Sequence, residues 1–267
     1  MLLDNSGREG NYCLITGASS GIGYELAKLF AQDGYNLVLL SRREDKLKQL
    51  ASALEKEFKI KTIILPRDLS VAGAAQEIYD LIKKRDVLIS GLVNNAGFLV
   101  YGEFSRSAWE EEARMLQVNL TALVHLTKLF LPEMIHRGQG MILNVGSIGS
   151  FSPGPLNALY CATKSFVLSF SEALGEELKG SGVRVTALCP GGTKTEFAER
   201  ADIGQTFIHT FGVMSAGQVA AIGYQALMSG KRVCVPGLLN RMIVFLIRFS
   251  PRGLVARMSK WMMKRRK

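Results

Sequence analysis

The chain has 267 residues, is 48% hydrophobic and carries a formal net charge of +10. Its length and apolar share predict a single α/β domain with one large core, and exclude a repeat or low-complexity chain. The charge is uneven: eleven Lys and Arg and no Asp or Glu lie from Lys231 to Lys267, whereas residues 1–230 hold 22 basic and 23 acidic groups.

Residues 12–16 are a short apolar run ending at a glycine-rich turn, and read as the first strand. Residues 22–32 have helical spacing. Residues 36–40 are apolar throughout, as a strand buried on both faces must be. Residues 44–58 repeat Leu47, Leu50, Leu54 and Phe58 on one helical face. Strands follow at 62–65, 89–94, 141–145 and 183–188, with a short last one at 232–235. Helices fall between them at 72–84, 110–137, 158–179 and 216–228, the second expected to kink at Pro132. The alternation predicts right-handed crossovers and a parallel sheet covered on both faces. Ligands of such sheets bind beyond the carboxyl ends of the strands, near the switch point. Cys13, Cys161, Cys189 and Cys234 lack metal-ligand spacing and read as buried free thiols, so no metal is expected. Residues 1–10 lack the basic start and apolar run of a signal peptide, which predicts a cytoplasmic setting.

Thr16-Gly17-Ala18-Ser19-Ser20-Gly21-Ile22-Gly23 lies between the first strand and the first helix. Gly17 permits a sharp turn, and Gly21 and Gly23 let backbone approach a pyrophosphate. Ser19 and Ser20 add hydroxyls, and the helix beginning near Ile22 offers unpaired N–H groups. Strand two ends in Ser41-Arg42-Arg43, without the Asp or Glu that an NAD-selective site presents. Ser41 and Arg42 suit a 2′-phosphate and predict preference for NADP(H) over NAD(H). Asp68 and Leu69 either approach the adenine, or Asp68 caps the next helix.

Tyr160 and Lys164 stand at i and i+4 on one helix and share a face. A free tyrosine titrates near about 10. A nearby ammonium and an oxidised nicotinamide ring are expected to lower that value. Tyr160 would then exchange a proton with a carbonyl or alcohol, while Ser147, at the end of strand five, hydrogen-bonds the same oxygen.

These motifs, with Asn94-Asn95-Ala96-Gly97, Asn119 and Pro190-Gly191, occur in order over about residues 12–197. The chain resembles the short-chain dehydrogenase/reductase superfamily, in a bacterial-type branch of poorly defined substrates. The resemblance implies a Rossmann-like, doubly wound parallel sheet of about seven strands. It implies that Lys164 also holds the nicotinamide ribose and that Asn119 positions a relay water. Asn95, with Ala96 and Gly97, would lie on the adenosine ribose. Pro190, Gly191, Thr193 and Thr195 would hold the nicotinamide carboxamide, Thr193 through its backbone and Thr195 through its hydroxyl. A homodimer or homotetramer formed through helices 110–137 and 158–179 also follows from the resemblance.

Apolar residues Phe98, Leu99, Val100, Phe151, Pro153, Pro155, Leu156 and Phe197 are expected at the substrate pocket. Phe207, Ile208, Phe211, Val213 and Met214 belong with them, and residues 196–215 read as a lid. Apart from Arg200 and His209 these segments lack cations, which favours an apolar ketone, a 3-oxoacyl thioester or a lipid ketone. A catalytic domain over 1–236 and a basic amphipathic extension over 237–267 are expected. After Pro251 the extension repeats Leu254, Val255, Met258, Trp261 and Met262 on one face. That face either lies on an anionic membrane surface, placing the protein peripherally at the inner membrane, or packs on the body or another subunit. Nucleic acid is not expected, because no stacking platform accompanies the basic helix. Two other functions stay open: an NADP(H)-bound sensor or scaffold without turnover, and an epimerase or dehydratase, which needs a further acid or base that the sequence does not offer.

Overall fold

The computed structural model describes residues 11–197, 206 and 213–264. Seven strands form one sheet in the order β3-β2-β1-β4-β5-β6-β9. They are β1 (Asn11–Thr16), β2 (Asn36–Ser41), β3 (Thr62–Pro66), β4 (Leu88–Asn94), β5 (Gly140–Val145), β6 (Val183–Leu188) and β9 (Val233–Cys234). Every neighbouring pair is parallel. A separate two-stranded ladder joins β7 (Thr193–Lys194) to β8 (Met214–Ser215).

The helices are α1 (Gly21–Gln32), α2 (Glu44–Phe58), α3 (Ala74–Lys83), α4 (Trp109–Leu116), α5 (Leu123–His136), α6 (Ala158–Glu177) and α7 (Ala216–Met228). Two more, α8 (Leu238–Ile247) and α9 (Arg252–Met262), follow β9. Apolar clusters fill both faces of the sheet. One joins Ile15, Leu37 and Leu39 to Leu26, Phe30 and the helices α1, α2 and α7. The other joins Leu14, Val38 and Leu92 to Ile78, Leu126 and Phe130 under α3 and α5. Leu14, Leu26 and Leu37 are wholly buried, each worth about 1.5–3 kcal/mol relative to exposure. Strands apolar on both faces are therefore what a sheet between two helical layers requires.

The expected element boundaries hold within two residues, with one change of kind. The helix expected over 110–137 is α4 and α5 joined by a π-helical stretch, Gln117–Ala122. Pro132 sits inside α5, ten residues past that stretch, so the irregular hydrogen bonding is not at the proline. The chain steps outward from β1 to β3 and returns to β4 on the other side of β1. The reversal opens a crevice at the carboxyl ends of β1 and β4.

Candidate active site

A cavity of about 1080 Å³ occupies that crevice. It runs from the β1–α1 turn past the ends of β4, β5 and β6 to helices α8 and α9.

The turn is a backbone cradle. Gly17 has φ +67°, and a Cβ there would lie 2.7 Å from Asn95 Nδ2. A Cβ on Gly23 would lie 2.5 Å from the Gly17 carbonyl oxygen. A side chain at Gly17 would collide with the segment after β4, and one at Gly23 with the loop itself. Ser20 caps α1 without a side-chain hydrogen bond, which leaves the first-turn amides to an anion. Thr16 Oγ1 ties the cradle to β4: it donates to Val93 O at 3.2 Å and accepts from the Asn95 and Ala96 amides at 2.9 Å. Asn95 Nδ2 donates to Thr16 O at 2.9 Å and Gly17 O at 3.2 Å. The Asn95 side chain thus braces the loop, and Asn95 also lines the cavity. Ser19, Gly21, Ile22, Ala96 and Gly97 line the cavity beside it.

The guanidinium in this loop belongs to Arg43, a residue the sequence reading passed over. It donates to Ser19 Oγ at 3.0 Å and Ser20 Oγ at 2.7 Å, and pairs with Glu196 at 2.8 Å. Arg42 lines the cavity but leans toward Asp68, 3.8 Å away. Ser41 Oγ accepts from the Arg43 amide at 3.2 Å. Asp68 Oδ1 accepts from the Ser70 amide at 2.9 Å. It caps a local turn, not α3, which begins after Gly73. Burial works to raise the Asp68 carboxyl, but the Ser70 hydrogen bonds and the Arg42 charge outweigh it and hold it low. Asp68 and Leu69 remain on the cavity wall. The signal for Arg43 was present in the sequence, since it follows Arg42 directly; which of the two turns inward depends on the backbone at the strand end.

At the other end of the cavity Ser147, Tyr160 and Lys164 converge. Ser147 caps the 3₁₀ turn Ile148–Phe151, its Oγ accepting from the Gly149 amide at 3.0 Å. Ser150 completes the arrangement: its Oγ accepts from the Ser147 amide at 3.3 Å and donates to Lys164 O at 2.7 Å. Lys164 Nζ donates to Val145 O at 2.7 Å and lies 5.8 Å from the Tyr160 ring centre. Burial pushes Lys164 down to about 8. Burial also raises Tyr160 well above its ordinary value, with a Ser147 hydrogen bond acting the other way. Desolvation outweighs the Ser147 hydrogen bond in this enclosed site, whereas the expected lowering draws on an oxidised nicotinamide ring as well as on Lys164, whose ammonium is turned to a carbonyl.

Asn119 is 1% exposed in the π-helical stretch. Its Oδ1 accepts from the Phe98 amide at 3.1 Å, and its Nδ2 donates to Phe98 O at 3.0 Å and Thr163 Oγ1 at 3.2 Å. A Cβ on Gly97 would lie 3.0 Å from Asn119 Oδ1 and 3.5 Å from Lys164 Nζ, so both side chains border Gly97. Pro190, Gly191, Thr193 and Thr195 close this end. Thr193 Oγ1 donates to Gly191 O at 3.0 Å, and Thr195 Oγ1 donates weakly to Thr193 O at 3.5 Å.

Of the expected apolar pocket residues, Phe98, Leu99, Val100 and Phe197 line the cavity, with Phe197 6.0 Å from the Tyr160 ring. Phe151 instead packs against Leu168 and Ala187, and Leu156 lines a smaller pocket beside Tyr101. Pro153, Pro155, Val213 and Met214 do not line the main cavity. Arg200, Phe207, Ile208, His209 and Phe211 lie outside the described residues, as does most of the expected lid. The rest of the wall comes from the C-terminal extension, where Ile243, Ile247 and Met262 face inward. Asn240 abuts Gly191, where a Cβ would lie 2.6 Å from its amide. Tyr101 Oη donates to Met263 O at 2.6 Å.

The donor set fits a nicotinamide dinucleotide. Its glycine cradle has no room for a Cβ, hydroxyls and a guanidinium lie at one end, and a phenol and an ammonium lie at the other. A family model described as short chain dehydrogenase matches residues 11–205. Human very-long-chain 3-oxoacyl-CoA reductase is 36% identical over 196 residues, 71% of this chain and 62% of that protein. The match thus spans under two thirds of that relative's length. A short-chain dehydrogenase from Sphingobium yanoikuyae, solved with NADPH, superposes with TM-score 0.81 at 32% identity, covering 91% of this chain and 94% of that one. The bulky-bulky ketone specific alcohol dehydrogenase from Comamonas testosteroni gives 0.75 at 29% identity, over 91% and 95%.

Proposed function

The chain belongs to the short-chain dehydrogenase family, and from that premise we propose that it reduces an apolar ketone or 3-oxoacyl substrate with NADPH. The observation that carries the reading is one cavity with the glycine cradle and Arg43 at one end and Ser147, Tyr160 and Lys164 at the other. The nicotinamide, when bound, supplies the hydride. Tyr160 Oη gives its proton to the carbonyl oxygen. Ser147 Oγ donates a hydrogen bond to the same oxygen as negative charge develops, from a position its turn already fixes. The Lys164 ammonium favours the phenolate that remains. Asn119, which borders Gly97 together with Lys164, orients the water that returns a proton. Phe98, Leu99 and Phe197 keep bulk water from the reacting oxygen.

Preference for NADPH rests on the basic end of the cavity, where Arg42 and Arg43 lie beside Ser19, Ser20 and Ser41 and the two carboxylates at hand, Asp68 and Glu196, are already paired with these guanidinium groups. The apolar wall and the names of the relatives support the substrate class. The proposed setting is cytoplasmic, as a homodimer or homotetramer through α4–α5 and α6. Exposed Trp109 and Phe166 on those helices support it.

The test is NADPH oxidation by purified protein over a panel of apolar ketones and 3-oxoacyl thioesters. Turnover that falls about 100- to 10,000-fold in Tyr160→Phe, with NADPH affinity unchanged, is the expected result. NADPH binding without turnover on any substrate would favour the sensor or scaffold reading.

A further inference from the structure

Helices α8 and α9 are apolar on the side away from the sheet. Leu238, Met242 and Phe245 on α8, and Phe249 in the turn just beyond it, follow one another at i, i+4, i+7 and i+11, and each is at least 54% exposed. The rings of Phe245 and Phe249 meet at 5.1 Å. On α9, Leu254, Met258 and Trp261 repeat the pattern at i, i+4 and i+7 and are all exposed. Four residues belong to this surface and to the cavity wall at once: Leu239, Leu246, Met258 and Trp261. The apolar face is thus continuous with the mouth of the active-site cavity. Arg241, Arg248, Arg252, Arg257, Lys260 and Lys264 surround it, all exposed.

We propose that α8 and α9 dock on an anionic lipid bilayer with the cavity mouth facing it, so that the carbonyl substrate enters from the lipid phase. The substrate half of this inference rests on the ketone reading above. Charge selects the occupant. No acidic residue follows Asp202 in the sequence, and among the described residues none of the six cations around this face forms a salt bridge. A second copy seated on the same patch would oppose like charges, because a two-fold interface pairs a surface with itself. Anionic headgroups supply the missing counter-charge, and acyl chains take the Phe and Leu side chains. The helices have 10 and 11 residues, about half of what a membrane span needs. Among the described residues no helix is long and apolar enough to cross a membrane. Lying in the interface plane is the geometry left to them.

The full chain is sedimented with vesicles of phosphatidylcholine, alone or mixed with phosphatidylglycerol. Binding to the mixed vesicles that weakens with salt is expected. Phe245→Glu with Phe249→Glu, neither of which lines the cavity, should reduce the bound fraction about tenfold or more. The chain has two tryptophans, so Trp109→Phe leaves Trp261 as the only reporter. Brominated acyl chains should quench its emission. Failure to bind the mixed vesicles overturns the proposal. So does binding without quenching, which would turn the mouth away from the lipid. A double Glu variant that turns an oligomer into a monomer and leaves vesicle binding unchanged also overturns it, since the face then joins subunits. NADPH titration of the same preparations separates the two readings. Retained NADPH binding without docking defeats docking alone, and docking without NADPH binding defeats the reductase reading.

Discussion

Lys164 is 4% exposed, and burial brings its ammonium to about 8. An unfolded lysine keeps its proton to about 10.4. Between those values Lys164 binds more proton in the unfolded chain than in the folded one, so its own contribution to unfolding free energy rises with pH across that window. Below about 8 the cost of the buried ammonium is constant. The thiols of Cys13, Cys161, Cys189 and Cys234, raised by burial, act in the opposite sense over the same range. The Lys164 contribution is therefore read as the difference in urea midpoint between the cofactor-free wild type and Lys164→Met, which should move in favour of the wild type from about pH 8 to 10. A difference that stays constant with pH would remove Lys164 as its source. Arg43 has a different signature. Arg43→Ala removes the cation bonded to Ser19 and Ser20. NADPH affinity should fall about tenfold or more, as loss of a charge-assisted contact implies, and NADH affinity should change less. Arg42→Asp should shift preference toward NADH by placing a second carboxylate near the ribose site. Titration calorimetry with both cofactors checks the pair, and equal losses for the two cofactors in Arg43→Ala would remove Arg43 from the 2′-phosphate. Tyr160, Lys164 and Ser147 were legible in the sequence because i,i+4 spacing and a strand end fix their places. The direction of the Tyr160 shift was not, because desolvation depends on Phe197 and the surrounding wall, which come from distant segments.

The elements carrying these residues are held by polar contacts that leave little mark in the sequence. Helices α1, α2 and α7 announce themselves through apolar spacing and glycine or serine boundaries. The π-helical stretch Gln117–Ala122 does not, since it is six residues long and continuous with α-helix on both sides. Its position puts Asn119 against the Phe98 backbone, where one side chain satisfies both an N–H and a C=O. Asn119→Ala leaves both part-buried partners unmet and should cost roughly 1 kcal/mol or more. The measurement is a urea unfolding curve, with NADPH present and absent. A loss under about 0.5 kcal/mol would mean that water replaces the amide there. Ser150 was equally hidden. As the partner of both Ser147 N and Lys164 O it joins two reacting segments, yet a serine three residues after another reads as ordinary turn chemistry.

At the scale of the whole molecule, the extension beyond β9 serves as part of the site. The sequence showed an amphipathic basic helix but not which side meets the body. Periodicity marks an apolar face; it does not say what covers that face. Val255 and Met263 are buried, while Leu254 stays exposed and Met258 and Trp261 stand exposed at the cavity mouth. The expected boundary at residue 237 therefore cuts through a continuous wall. Deleting residues 238–267 removes Ile243, Ile247 and Met262 from the cavity, the acceptor of Tyr101 Oη, and the side chain packed on Gly191. The cradle, Arg43 and the Ser147–Tyr160–Lys164 group lie on β1–α1, β2, β5 and α6 and remain. NADPH binding should then change by less than about threefold, while KM for an apolar ketone rises about tenfold or more, the size expected when a few buried methylene contacts are lost. Titration of NADPH doubles as the check that the shortened chain folds. An unchanged KM with intact cofactor binding would place the substrate wholly on the sheet side of the cavity. A loss of NADPH binding would make α8 and α9 part of the folding unit, through the buried Val255 and Met263 and the contact of Asn240 with Gly191.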